Sequence, residues 1–215
     1  MNTREADHYF SEHPATPLRK HRVRAELGGR TVEVSTASGV FSPERVDRGT
    51  SVLLQHTPEP VDFGDILDIG CGWGPIALDT AMRSPKATVW AVDVNERSLE
   101  LCRENAEALA LGNIRVCRPD EVPAQVRFTE IRSNPPIRIG KAALHGILKQ
   151  WLPRLVPGGS AFLVVAKQLG APSLQRWIET EFAQTLEVDR IARGHGFHVI
   201  EAIAESAETE PDLPE

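Results

Sequence analysis

The chain has 215 residues, 41% of them hydrophobic and 25% charged. That is the make-up of an ordinary globular protein, and it excludes wholesale disorder and coiled coil. The net charge of −6 says little about partners. Residues 201–215 carry six acids and no base, so the other 24 acids balance the 24 Lys and Arg and leave room for a basic face.

The longest clean apolar run, Ala161 to Ala166, falls far short of the roughly 20 residues a membrane helix needs. The N-terminus shows no apolar segment of a secretory signal. Cys71, Cys102 and Cys117 form no C-x-x-C pair. The expectation is a cytoplasmic protein with no membrane partner and no metal, and the sequence leaves monomer and dimer open.

Residues 1–21 are polar and without a period. Val23, Ala25 and Leu27 alternate with charged residues, Gly28-Gly29 follows, and Val32 and Val34 alternate again, which reads as a β-hairpin. Residues 37–46 read as a loop and 47–56 as a short helix. From residue 64 strands and helices alternate. The strands are Ile66 to Ile69, Thr88 to Val92, Ile114 to Cys117, Phe128 to Ile131 and Ala161 to Ala166. The helices are Pro75 to Met82, 96–110, 141–155 and Ser173 to Phe182, with a turn at Pro157-Gly158-Gly159. Leu186 to Ile191 and Phe197 to Ile203 close the pattern around Gly194-His195-Gly196. They lack a helix-sized connection and so should pair antiparallel. The result is an α/β, doubly wound sheet ending in a hairpin. The chain divides into an N-terminal extension, 1–58, a main domain, 59–204, and an acidic tail, 205–215.

Ligands of such sheets bind beyond the carboxyl ends of the strands. Asp68-Ile69-Gly70-Cys71-Gly72-Trp73-Gly74 stands there, between the first strand of the alternation and its helix. The glycines permit a tight turn and close approach of a ligand. Their G-x-G-x-G spacing departs from the dinucleotide pattern, and Asp68 adds negative charge where a pyrophosphate would sit. A cofactor with a cationic amino-acid end suits it better. Asp93, followed by Asn95, ends the next strand, where a carboxylate accepts both ribose hydroxyl protons. Asp120 follows the third strand, within reach of an adenine amino group. Together these residues point to S-adenosyl-L-methionine.

Ser133-Asn134-Pro135-Pro136-Ile137 follows the fourth strand. A planar amino nitrogen is a poor nucleophile because its lone pair is delocalised, and acceptors on its hydrogens orient it and favour charge build-up during attack. Asn134 offers a side-chain oxygen and Pro135 a backbone carbonyl, and the two prolines remove two competing donors. This is a site for methyl transfer to an exocyclic or amide nitrogen, driven by proximity and preorganised hydrogen bonds. Ile137 gives apolar contact but no π-face for a flipped base. Arg138 and Lys141 stand at the mouth, placed to hold phosphates.

At these residues the chain resembles the methyltransferase small domain enzymes, specifically the ribosomal RNA small-subunit methyltransferase C type, which modify a guanine N2 amino group. The resemblance runs from about His8 to Ile203. It is carried by His8-Tyr9-Phe10-Ser11, Gly39-Val40-Phe41-Ser42 with Asp47-Arg48-Gly49-Thr50, Asp65 to Ile76, Asn134 to Lys141, and Lys167-Gln168 with Gly170 to Ser173. It implies the class I methyltransferase fold, seven strands with the last reversed. It assigns the methionine end of the cofactor to Gly70, Gly72 and Gly74, the ribose to Asp93, the adenine to Asp120 and the target amino group to Asn134. Phe41, Ser42 and Lys167 fall on the substrate side, with the loop carrying Phe41 and Ser42 closing over the site. The partner implied is ribosomal RNA or the small ribosomal subunit. Larger members carry two tandem halves, and the resemblance covers one.

Three other readings remain. The same chemistry could serve a protein glutamine or a DNA adenine, but such enzymes usually carry an aromatic where Ile137 stands. A catalytically idle RNA-associated subunit conflicts with an intact Asn134 and Asp93. A nicotinamide dehydrogenase conflicts with the glycine spacing. Arg19, Lys20, Arg22 and Arg24 form a basic stretch that reads as a solvated strand edge or an RNA contact. The histidines show no ligand spacing, and His195 and His198 read as turn and strand residues.

Overall fold

A computed structural model describes residues 16–206. The His8 to Ser11 segment and residues 207–215 of the acidic tail lie outside the described residues. Strands β1 (Lys20–Leu27) and β2 (Arg30–Ala37) form the expected antiparallel hairpin around Gly28-Gly29. Helix α1 (Arg48–His56) follows. The alternation then runs β3 (Asp65–Ile69), α2 (Pro75–Arg83), β4 (Thr88–Val92), α3 (Glu96–Ala108), β5 (Ile114–Cys117), β6 (Phe128–Ser133), α4 (Lys141–Trp151), β7 (Leu155–Ala166), α5 (Ala171–Glu181), β8 (Leu186–Gly194) and β9 (Phe197–Ala204).

The main sheet has the order β5-β4-β3-β6-β7-β9-β8. Strands β3 to β7 are parallel, and β9 inserts antiparallel between β7 and β8. This is the class I methyltransferase arrangement, with the N-terminal hairpin added. Because β3 is flanked by β4 on one side and β6 on the other, the strand order reverses at β3, and a crevice opens beyond its carboxyl end. Ser133 Oγ donates to the Ile69 carbonyl at 2.7 Å, which ties the end of β6 to the end of β3. The loops after these two strands therefore start side by side.

Two boundaries differ most from the sequence reading. Helix α4 stops at Trp151, not 155, and Leu152–Arg154 forms a 3-10 turn. Pro153 lacks the N–H needed to continue the helix. Pro157-Gly158-Gly159 is a bulge inside β7, not a turn before it. Leu155 already pairs with Phe128, and pairing resumes at Ser160. A Cβ on Gly159 would stand 2.9 Å from the Val156 carbonyl and 3.0 Å from that of Thr129, so only glycine lets the bulge close against β6.

The hairpin shares a core with the main domain: Ala25, Leu27, Val32 and Val34 pack with Trp73, Leu78, Leu101 and Ala106. The buried Asn105 side chain pins it, accepting from Ser35 N at 2.7 Å and donating to the carbonyls of Ser35 and Trp73. Helix α1 packs Val52 and Leu53 on Phe162, Val164 and Val199. The two residues that follow α1, Thr57 and Pro58, are held by Arg132 of β6. Buried and paired with Glu130, Arg132 donates to Thr57 Oγ1 at 2.9 Å and to the Pro58 carbonyl at 2.6 Å. The extension thus reaches the site as part of the main body. Among the described residues no helix is long and apolar enough to cross a membrane.

Candidate active site

The glycine loop turns sharply after β3. Gly70 and Cys71 both donate to the Val92 carbonyl, at 2.8 and 3.0 Å, and Gly70 and Gly72 have φ of 74° and 57°. A Cβ on Gly72 would meet nothing within 4 Å, and one on Gly70 only Pro136 Cδ at 3.8 Å. These two glycines border open space that a ligand can fill. Gly74 serves a different purpose. It caps α2 at φ 99°, and a Cβ there would strike Cys102 Sγ at 2.8 Å.

Asp93 is half-buried at the pocket wall. Its Oδ2 accepts from Gly72 N and its Oδ1 from Asn95 N, each at 2.9 Å. Burial pushes its carboxyl pKa up, while the N–H groups of Asn95, Gly72 and Val94 pull the other way. Each oxygen keeps a lone pair, so the carboxylate is set to accept from a vicinal diol.

The same pocket gathers Phe41, Asn134, Pro135, Pro136, Ile137 and Arg138. Ser42 lies in an adjoining recess with Cys71 and Trp73. The Asn134 amide nitrogen donates to Asp47 Oδ2 at 2.9 Å and to Thr50 Oγ1 at 3.1 Å. A carboxylate only accepts, so Asp47 fixes which end of the amide faces it. The Asn134 oxygen, with no partner among the described residues, is left to accept from whatever enters. Asp47 Oδ2 also accepts from Gly49 N at 2.7 Å and Thr50 N at 3.3 Å, capping α1. The Pro135 carbonyl takes one bond from Ile137 N at 2.8 Å and retains a second lone pair.

The loop over the site is tied down. Trp73 Nε1 donates to the Ser42 carbonyl at 3.2 Å, Asn95 Nδ2 to that of Gly39 at 3.0 Å, and Arg97 Nη1 to that of Ser38 at 2.6 Å. Asn95 thus serves the loop and caps α3. Gln168, Leu169 and Phe197 complete the pocket wall.

Several expected residues lie off that wall. Asp68, 1% exposed, sits beneath the loop, where its Oδ2 accepts from Ala77 N at 3.0 Å and so replaces the side-chain cap that Gly74 cannot give α2. Its Oδ1 has no partner, and burial pushes its pKa up to about 8. The Asp120 side chain is 79% exposed, 3.5 Å from Arg118 Nε. Lys141 opens α4 and is exposed, and Lys167 faces a neighbouring depression. The sequence reading missed Asp47, Thr50 and Phe197. The Asp-x-Gly-Thr run does announce a helix cap, but nothing local announces a bond to residue 134.

No group of three His, Cys, Asp or Glu side chains among the described residues is arranged to hold a metal. The open cradle at Gly70 and Gly72, with Asp93 beside it, fits the ribose and methionine portions of S-adenosylmethionine.

The family model of the methyltransferase small domain matches residues 31–201. The chain belongs to this family. Among relatives of this methyltransferase, an uncharacterized protein of Bacillus subtilis, YbxB, is 36% identical over 200 residues, 92% of this chain and 98% of that one. The ribosomal RNA small subunit methyltransferase C of Hahella chejuensis is 33% identical over 175 residues, 79% of this chain and 50% of that one. Among solved structures, the Thermus thermophilus 16S rRNA guanine-N2 methyltransferase, in complex with AdoMet and guanosine, superposes with a TM-score of 0.74 at 26% identity. It covers 90% of this chain and 52% of that chain. The chain therefore spans about half the length of these two. The cofactor expected from the sequence, S-adenosylmethionine, agrees with the family.

Proposed function

We propose that the protein transfers a methyl group from S-adenosylmethionine to the N2 amino group of a guanine in RNA, with ribosomal RNA of the small subunit as the substrate class. The observation that carries this reading is the Asn134 amide. Its nitrogen is consumed by Asp47 and Thr50, which presents its oxygen to a planar amino group. The likeness to small-subunit methyltransferases, one of which binds guanosine, supports the base.

S-adenosylmethionine supplies an electrophilic methyl on a sulfonium. The chain does the rest. Asp93 would accept from the ribose, and the backbone at Gly70 and Gly72 would hold the methionine portion. An adenine reaching Asp120 would have to displace its pair with Arg118. Asn134 Oδ1 and the Pro135 carbonyl accept the two amino hydrogens, turning the nitrogen lone pair toward the methyl. The nitrogen sheds its proton after attack, so no strong base is required. Ile137 offers no π-face, but Phe41 and Phe197 line the same pocket and supply aromatic surface for an extruded base. Arg138, exposed at the mouth, faces incoming phosphates.

The test is a panel of acceptors incubated with methyl-labelled S-adenosylmethionine: undermethylated small subunits, protein-free ribosomal RNA, DNA, and protein. Label in RNA is the expected result. Label in DNA or protein alone would overturn the substrate and leave the chemistry.

A further inference from the structure

The hairpin of β8 and β9 ends beside the active site. Phe197 lines the pocket and also a second depression, walled by Lys167, Pro172, Arg190, Arg193, His195 and His198. No Asp or Glu lines it. Elsewhere several cations are matched: Lys20 with Glu104, Arg22 with Glu33, Arg83 with Asp79 and Glu59, Arg118 with Glu96, and Lys149 with Glu181. The basic stretch on β1 is thus partly neutralised. Lys167, Arg190 and Arg193 form no ion pair among the described residues.

The backbone shows how these cations come together. Arg190 and Arg193 are three positions apart, so in a regular strand they would point to opposite faces. The pairing shifts between Arg190 and Ala192, leaving Ile191 as an extra residue. This bulge brings Arg190 and Arg193 to one side. Arg193 pairs with His198, so these two share that face. His198 is 6% exposed, and its Nδ1 has no hydrogen-bond partner. Burial holds its pKa down, and Arg190, Arg193 and Lys167 push it further the same way, a sign of how closely the positive charge is gathered. The acids of this hairpin, Glu187, Asp189 and Glu201, lie away from the tip: Asp189 stands opposite Glu201 and Glu187 opposite Ile203, whereas the tip pair is Gly194 with Phe197.

Uncompensated charges held this close repel one another, and a bound polyanion relieves that cost. We infer that this depression seats backbone phosphates of the RNA beside the target nucleotide, with Lys167, Arg190 and Arg193 as the contacts. The inference rests on the proposed RNA substrate and adds where that substrate is gripped. The adjoining wall at Phe197 makes the phosphate track continuous with the base pocket.

The test compares wild type with the double variant Arg190→Gln/Arg193→Gln and with Lys167→Gln, using Arg22→Gln/Arg24→Gln as the control on the other hairpin. RNA binding is read by fluorescence anisotropy across a salt series, methyl transfer by kinetics, and cofactor binding by calorimetry. The expected result is a salt slope less steep by about 0.7 to 0.9 for each cation removed, with the KM for RNA raised about tenfold, kcat and cofactor affinity kept, and the control unchanged. Restoring charge with Arg190→Lys/Arg193→Lys should recover most of the binding. An unchanged salt slope and KM in a variant of an RNA-methylating enzyme would overturn the seat and leave the substrate reading standing. RNA binding that depends on these cations, in a protein that methylates only another acceptor, would keep the seat and sink the substrate reading.

Discussion

Asp47 and Asn134 lie 87 positions apart in the chain and meet at 2.9 Å, carboxylate oxygen to amide nitrogen. One residue caps the helix of the N-terminal extension, and the other opens the loop after β6. The contact ties the extension to the pocket and decides which atom of Asn134 is left open there, which under the proposed function is the atom that meets the substrate.

Removing this contact should slow the chemistry more than it weakens binding. Asp47→Ala should lower kcat by about 10- to 100-fold, the range for losing orientation of one acceptor. Cofactor affinity should stay within twofold, about the noise of such a comparison. The lost cap costs roughly 1 kcal/mol of stability, too little to unfold a domain of this size. Single-turnover rates and calorimetric titration with S-adenosylmethionine separate these effects. A rise in cofactor Kd with an unchanged rate would contradict the assignment.

Gly49 is expected to be intolerant for a local reason. A Cβ there would stand 2.8 Å from Phe197 Cε1 and 2.9 Å from Asp47 Oδ2. Gly49→Ala should therefore displace the aromatic wall or the carboxylate, and kcat/KM should fall by about tenfold or more. Helix propensity alone favours alanine, so any stability gain alongside lost activity would point to this contact. Paired thermal melts and steady-state assays are the check.

Asp93 should matter to the cofactor and little to the acceptor. Asp93→Ala removes an acceptor for the ribose and frees Gly72 N and Asn95 N. Bonds to a charged group are each worth about 1.5–3 kcal/mol, so cofactor Kd should rise at least about tenfold. Equal affinity in calorimetry would show that the ribose lies elsewhere.

Asp68 gives the protein a distinctive pH dependence. Burial raises its carboxyl to about 8, so the folded protein holds a proton that the unfolded chain releases near the ordinary carboxylate range. The associated stability is full below that range and is lost as pH rises through about 8. Asp68→Asn cannot ionise. The stability of wild type relative to Asp68→Asn should therefore decline between pH 5 and pH 8, by up to about 1.4 kcal/mol per pH unit. Urea melts at three pH values would show it. A gap independent of pH would mean that the carboxyl is ionised in the folded state throughout.

Most of the fold was legible because its signals are local. The alternation in β1 and β2, the β-branched run of β4 and the glycines at strand ends each dictate a conformation within a few residues. The start of β7, with its bulge at Pro157 to Gly159, depends on how β7 fits against β6. That Gly70, Gly72 and Asp93 share one pocket was readable for the same reason, since they follow their strands directly. Asp68, Asn95 and Asp120 carry the right residue types at strand ends, but packing gives the first two to helix and loop support and leaves the third at the surface. Asp47 and Thr50 meet Asn134, and Phe197 joins its pocket, only after the extension and the reversed strand have folded around it, and no periodicity encodes that meeting.

The most direct measurement is nucleoside analysis of labelled RNA. Undermethylated small subunits or their RNA would be incubated with methyl-labelled S-adenosylmethionine and either wild type or Asn134→Ala, then digested and resolved by chromatography with mass detection. The expected result is label in N2-methylguanosine with wild type and its loss, by about a hundredfold or more, with Asn134→Ala. Label in any other nucleoside, or N2-methylguanosine formed equally well by Asn134→Ala, would contradict the account.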